Sequence, residues 1–372
     1  MKNINKIISI LLVAVLLIGV LAGCSKFNEV QKTENKSQKE EQKTITITDM
    51  AQRKVEIPSN IEKVYCKSPE GTILMYTLAP DKLAGWNYQF TTNEKKYIPE
   101  KYKDLPILGG WFGKNNTGNI EEILKGAPDI IINMGRINDT EIDANNSLQE
   151  QIGIPIVMVK SETLDDLEDA YAFIGKIIGE EERAKELADY CKNTLNYALE
   201  KSENISEEDK VTVYYAQGQK GLNTEAPGSV RMEVIRLIGG KNAADISDDS
   251  SYGRSKVSLE QVLLWNPDII ITARESSDDN TKSFFQTIYE NEDWKDINAV
   301  KNKKVYGIPQ NPFGWFDRPP SVNRIIGIKW LGHVLYPKAY EYDIIEEVKE
   351  FYKTFYHYEI SDEEAKEFLN MD

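Results

Sequence analysis

The sequence predicts an α/β protein of two similarly built lobes, each with a central sheet, bridged by a single long α-helix. Three observations carry that prediction. Asn119 to Ile132 (NIEEILKGAPDIII) and Ser258 to Ile271 (SLEQVLLWNPDIII) align without a gap at an offset of 139. Each reads as a short helix, a turn and a buried strand. Within that register Glu121 falls on Glu260, Leu124 on Leu263, and Pro128-Asp129 on Pro267-Asp268. An apolar triplet alone is common in strands buried on both faces, but the shared Pro-Asp and glutamate point to duplication. Between the two segments, Glu180 to Lys201 places Ala184, Leu187, Ala188, Cys191, Leu195, Ala198 and Leu199 at helical spacing. Such a helix would be about 33 Å long, with Glu180, Glu181 and Glu182 suiting the positive end of its dipole.

The other elements follow in order. Thr44 to Asp49 and Lys54 to Pro58 read as a hairpin, and Lys63 to Cys66 as a strand. Ser68 to Gly71 opens a helix over Thr72–Leu78, and Leu83 to Trp86 is a further short strand. Gln151 to Val159 contains a strand, and Thr163 to Ile178 an amphipathic helix stopped by Gly179. Beyond the long helix, Lys210 to Tyr215 and Lys304 to Pro309 are strands. Val230 to Ile238, Phe284 to Trp294, Ser321 to Leu335 and Asp343 to Tyr356 are helices, the last closing the chain.

Composition excludes several functions. With 372 residues and a net charge of −15, the chain offers nothing to neutralise nucleic-acid phosphates. Cys24, Cys66 and Cys191 are the only cysteines, too few and too scattered for a disulfide framework. Free, buried thiols are expected at Cys66 and Cys191. With His333 and His357 as the only histidines, a His-rich zinc or manganese site is not expected, and no resident cofactor is implied.

Residues 1–23 read as a signal peptide. Lys2 and Lys6 precede an apolar run from Ile7 to Val20, and Leu21-Ala-Gly-Cys24 resembles the bacterial lipobox. That resemblance implies cleavage before Cys24 and lipidation of its thiol, leaving a net charge of −17 on the extracytoplasmic face of the cell membrane. Residues 24–43 form a polar tether with almost nothing to bury. The domains expected after it are an N-terminal lobe over 44–179, an interlobe helix over 180–204 and a C-terminal lobe over 205–372.

A lipobox, a tether and two lobes around one helix, with a Glu and a Pro-Asp-Ile-Ile-Ile segment in each lobe, resemble one large family. These are the substrate-binding lipoproteins of ABC importers for iron–siderophore, haem and cobalamin-type ligands. The resemblance spans residues 44–372. It implies Rossmann-like lobes, a monomer, no catalysis, and a metal chelate captured in the interlobe cleft for delivery to a membrane permease. It also implies that Glu121 and Glu260 dock on permease arginines, a pairing that a rigidly held carboxylate suits. The alternative role for these glutamates is closure of a capping box with Asn119 or Ser258.

Ligands of open α/β sheets sit at the carboxyl ends of the strands. The cleft candidates there are Trp86, Trp111, Phe112 and Arg136 in the first lobe. In the second they are Tyr215, Tyr252, Arg254, Arg274, Trp315 and Arg318. Four arginines in so acidic a chain suit an anionic ligand, and aromatic rings suit a flat or greasy one. Each also has a plain role, as a bridge to a carboxylate such as Asp317 or as lobe core. Two other functions compete. The same architecture could hold a molybdate- or tungstate-type oxyanion. A lipoprotein enzyme would have to work through carboxylates, because Gly-x-Ser-x-Gly, His-Glu-x-x-His and Gly-x-x-x-x-Gly-Lys are all absent.

Overall fold

The computed structural model describes residues 43–113, 116–247, 254–272 and 282–369. Two parallel sheets dominate. In the first, Ile130–Gly135 lies between Val64–Cys66 and Ile156–Lys160. In the second, Ile269–Thr272 lies between Thr212–Ala216 and Val305–Gly307, with Lys241–Asn242 added beyond Thr212–Ala216. The duplicated strand is therefore internal in both sheets, flanked by an earlier strand on one side and a later strand on the other. Thr44–Thr48 and Lys54–Pro58 form the expected antiparallel hairpin.

The repeated Pro-Asp has a structural cause. The Asp129 carboxylate accepts from the backbone N–H groups of Glu62 and Lys63, just before the first strand of its sheet. Asp268 does the same for Thr212, accepting from its N–H at 2.9 Å and its hydroxyl at 2.6 Å. Each aspartate thus pins the start of its own strand to that of its neighbour. The helices before them, Ile120–Gly126 and Leu259–Trp265, both end on a left-handed residue, Ala127 (φ 46°) and Asn266 (φ 44°).

The long helix runs from Glu181 to Glu203 and buries Ala184, Leu187, Ala188, Cys191, Thr194, Leu195 and Ala198. It folds back against Asp166–Ile178 across Gly179, which adopts φ +76°. The two helices approach closely at Gly175, where an added Cβ would lie 2.3 Å from that of Ala184. Cys66 and Cys191 are free and buried.

Some elements depart from expectation. Asp139–Ile152 is a helix that the sequence reading passed over, because its apolar positions are sparse (Ile142, Leu148, Ile152) and its face is thin. Leu83 to Trp86 makes only isolated bridges, to Val64 and Ile107. Phe284 to Trp294 breaks into Phe284–Thr287 and two 3-10 turns, with the Asn291 side chain accepting from Asp293 N–H at the second break. The chain also continues past Tyr356 into a further helix, Asp362–Leu369.

Candidate functional site

In the second half of the chain a charged cluster gathers beyond the carboxyl end of Thr212–Ala216. Glu225 and Asp317 are buried at 1% and 3% exposure. Glu225 Oε1 accepts from Gln217 Nε2 at 3.1 Å, the Arg254 backbone N–H at 3.2 Å and Arg318 Nη2 at 3.4 Å. Its Oε2 accepts from Ser229 Oγ at 3.1 Å and lies 3.8 Å from Arg231 Nη1. Asp317 Oδ2 lies 3.6 Å from Arg231 Nε and 3.5 Å from Arg318 Nε, while its Oδ1 accepts from the Tyr215 hydroxyl. Burial pushes the Asp317 carboxyl up, against the pull of Arg318 and the Tyr215 hydroxyl. Two enclosed carboxylates therefore orient two guanidinium groups, and 37% of the Arg318 side chain stays exposed.

Of the predicted residues, Tyr215 and Arg318 belong to this cluster, and Arg254 joins it through its backbone. Arg231 and Glu225 were missed. Glu225 had a visible signal, an acidic residue inside a Gly-rich loop, whereas Arg231 sits at an ordinary position in a 3-10 turn. Tyr252 and Arg274 lie outside the described residues.

The first half presents a different surface. Trp111 is partly buried, and its backbone N–H donates to the carbonyl of Lys67 at 2.8 Å. Lys67, the residue after the strand Val64–Cys66, was also missed. Its ammonium donates to Asn145 Oδ1 at 2.8 Å and lies 5.4 Å from the Trp111 ring centre. Burial holds the Lys67 ammonium below the usual lysine range, with Glu141 opposing. Phe112 packs edge-on against Tyr88 and is half-buried. Arg136 is exposed, with Nε 3.5 Å from Glu162.

Trp86 and Trp315 stand elsewhere than expected. Trp86 is 2% exposed, donates its indole N–H to the Tyr102 carbonyl at 2.8 Å and packs against Tyr76 and Phe90. Trp315 is fully buried and stacks on Phe368 at 6.0 Å. Between them Phe313 inserts among Tyr76, Trp86, Phe90 and Tyr356. These rings form the apolar seam between the two halves. As placed, neither tryptophan presents a face to solvent.

Next to that seam, Ser321 Oγ, three residues beyond Arg318, donates to the Glu70 carbonyl at 3.0 Å. This joins the segments that carry the two clusters. The Glu70 carboxyl accepts from Ser161 Oγ at 2.6 Å. Burial pushes it up to about 7 from an ordinary 4.5, against the lowering effect of that hydrogen bond and of Arg324. Between those two values the folded protein keeps a proton that the unfolded chain has released. Stability should therefore fall as pH rises from about 4.5 to 7, by up to about 3 kcal/mol. Urea titrations across that window should show the slope in the wild type and a flatter profile in Glu70→Gln. An unchanged slope in the variant would assign the effect to another group.

The two repeat glutamates are exposed at equivalent positions on their helices. Neither closes a capping box: Asn119 accepts from Glu122 N–H, and Ser258 is boxed by Gln261. Among the described residues neither Glu121 nor Glu260 pairs with a cation, while Glu122 is engaged with Lys125. The Glu260 carboxyl is held low by its own backbone N–H and by Ser258. Among the described residues there is also no group of three metal-ligating side chains, and no helix is long and apolar enough to cross a membrane.

Two parallel sheets joined by one long helix, with the polar clusters at their carboxyl ends, define a two-lobed solute-binding protein. The chain belongs to the family described as periplasmic binding protein, whose model matches residues 80–312. It is a solute-binding component of ABC import and carries a transported ligand in place of a cofactor. An ABC transporter solute binding protein from Sulfurospirillum deleyianum is similar in structure, with a TM-score of 0.79 and 33% identity over 87% of this chain and 99% of that one. The molybdate-binding protein MolA of Haemophilus influenzae is 24% identical over 83% of this chain and 90% of its own. The high-affinity heme uptake system protein IsdE of Staphylococcus aureus is 26% identical over 59% of this chain and 71% of its own.

Proposed function

We propose that this protein captures an anionic metal chelate, of ferric siderophore, haem or corrinoid type, between lobes 44–179 and 205–372 and delivers it to an ABC permease. The helix at 180–204 holds the lobes apart. The protein works as a monomer outside the cytoplasmic membrane, lipidated at Cys24 after loss of residues 1–23. Glu121 and Glu260 dock on permease arginines.

The observation that carries the ligand reading is the Arg231–Arg318 pair, braced by buried Glu225 and Asp317. Guanidinium groups fixed before a ligand arrives lose little entropy on binding and present directional donors to anionic oxygen. Lys67, Trp111 and Phe112 add a cation and two half-buried rings that suit the body of a chelate.

A tetrahedral oxyanion is the second reading. It is favoured by the burial of Trp86 and Trp315, which leaves fewer open rings than a large flat ligand would use. MolA, the molybdate-binding relative, is consistent with it.

Thermal-shift measurements with ferric siderophores, haem, cobalamin and molybdate separate the two. A ligand at 100 times its Kd should stabilise the protein by about 2.7 kcal/mol. Arg318→Ala should abolish that shift. Stabilisation by molybdate alone would replace the first reading with the second, and no stabilisation by any of them would remove both.

A further inference from the structure

The helices Ile120–Gly126 and Leu259–Trp265 turn the same pair of residue types outward. In each, an apolar pair three residues apart faces in: Ile120 with Ile123, and Leu259 with Val262. The next residue of each pair faces out, and residues three and four apart share a helix face. On the first helix the outward pair is Glu121 and Leu124, with Leu124 47% exposed. On the second it is Glu260 with Leu263 at 38% and Leu264 at 83%. Eight large hydrophobic residues are exposed among the described residues, and three of them sit on these two seven-residue helices. Single exposed leucines need no explanation, but recurrence beside a carboxylate at the same helix position does.

We propose that Leu124, Leu263 and Leu264 are apolar anchors of the permease contact, each seated next to an arginine that pairs with Glu121 or Glu260. This rests on the docking role given above to the two glutamates. An ion pair exposed to water is worth little. The same pair ringed by apolar contacts that exclude water gains strength, as at interface hot spots. The leucines supply that ring from the protein's side. The occupant is a protein surface and not the lipid headgroups, because a chain of net charge −15 with a carboxylate beside each leucine is repelled by an anionic membrane. Leu263 and Leu264 together offer more apolar surface than Leu124, so the second half should contribute more of the affinity.

Binding of the full chain to its cognate permease in phosphatidylcholine nanodiscs tests this, with vesicles of phosphatidylethanolamine and phosphatidylglycerol as the lipid arm. Leu264→Asp is expected to weaken permease binding by about tenfold or more and Leu124→Asp by a smaller factor, with solute affinity and Tm unchanged. Permease binding within about twofold of wild type for Leu124→Asp and Leu263→Asp/Leu264→Asp, while Glu121→Arg/Glu260→Arg fails to bind, would overturn the anchor proposal and keep the docking role. Wild-type binding by the glutamate variant would instead overturn the docking role itself. Loss of vesicle binding in the leucine variants, with permease binding intact, would mark the patch as a lipid contact and overturn the proposal.

Discussion

Charge reversal at both Glu121 and Glu260 is expected to abolish solute uptake while leaving solute affinity and Tm at wild-type values. The separation of effects follows from position. Both side chains are exposed, neither pairs with a cation among the described residues, and neither caps its helix. Replacing them therefore breaks no ion pair within the chain; Glu260 gives up only the contacts with its own N–H and Ser258 at an exposed helix start, and surface changes of this kind cost little stability. Against guanidinium groups of a permease the change is larger, because attraction becomes repulsion at two places at once. Like charges set face to face across an interface cost several kcal/mol, enough to suppress a weak, transient complex. Whole-cell uptake of the identified solute, paired with calorimetry on the isolated variant, reads both quantities. Unimpaired uptake by Glu121→Arg/Glu260→Arg would refute the docking role. A parallel loss of solute affinity would place these residues in the binding machinery instead.

The repeat was legible because its chemistry is local. Pro128-Asp129 and Pro267-Asp268 each solve one local problem, tying a strand start to its neighbour, and such solutions leave the same residues at the same spacing. The long helix was legible for a related reason, since seven buried positions fall on one stripe. The candidate site was less legible. Loop arginines can be counted from sequence, and Asp317 stands beside Arg318 in it, but the second carboxylate that each guanidinium meets is remote, Glu225 from Arg318 and Asp317 from Arg231. Trp86 and Trp315 show the same limit. A ring at the end of a strand reads alike whether it faces a ligand or the seam between two halves, and here the seam takes both. Lys67 escaped notice because a lone lysine after a strand is ordinary until Trp111 and Asn145 are brought to it.

The same seam contains a buried ion pair whose loss should be the largest single effect on stability. Arg324 Nη1 donates to Glu233 Oε2 at 2.8 Å, and the Glu233 carboxylate also accepts from the Leu164 N–H at 3.2 Å. Arg324 and Glu233 are each 2% exposed. Both follow the long helix in sequence while Leu164 precedes it, so this pair ties the two halves together. Arg324→Met should destabilise by about 3–5 kcal/mol, because it strands a carboxylate away from water. Glu233→Met should cost about as much by stranding the guanidinium, and the double variant should recover much of either loss. Burial already pushes the Glu233 carboxyl up, with Arg324 and the Leu164 N–H holding it back. Without Arg324 it should rise further, so that folded Arg324→Met takes up a proton the unfolded chain releases. A raised folded value gives stability that is lost as pH rises through it, so the penalty of Arg324→Met should be smaller near pH 5 than near pH 8. Urea denaturation of the single and double variants at both values decides the point. A penalty that does not change with pH would mean that Glu233 keeps its charge through a contact other than Arg324.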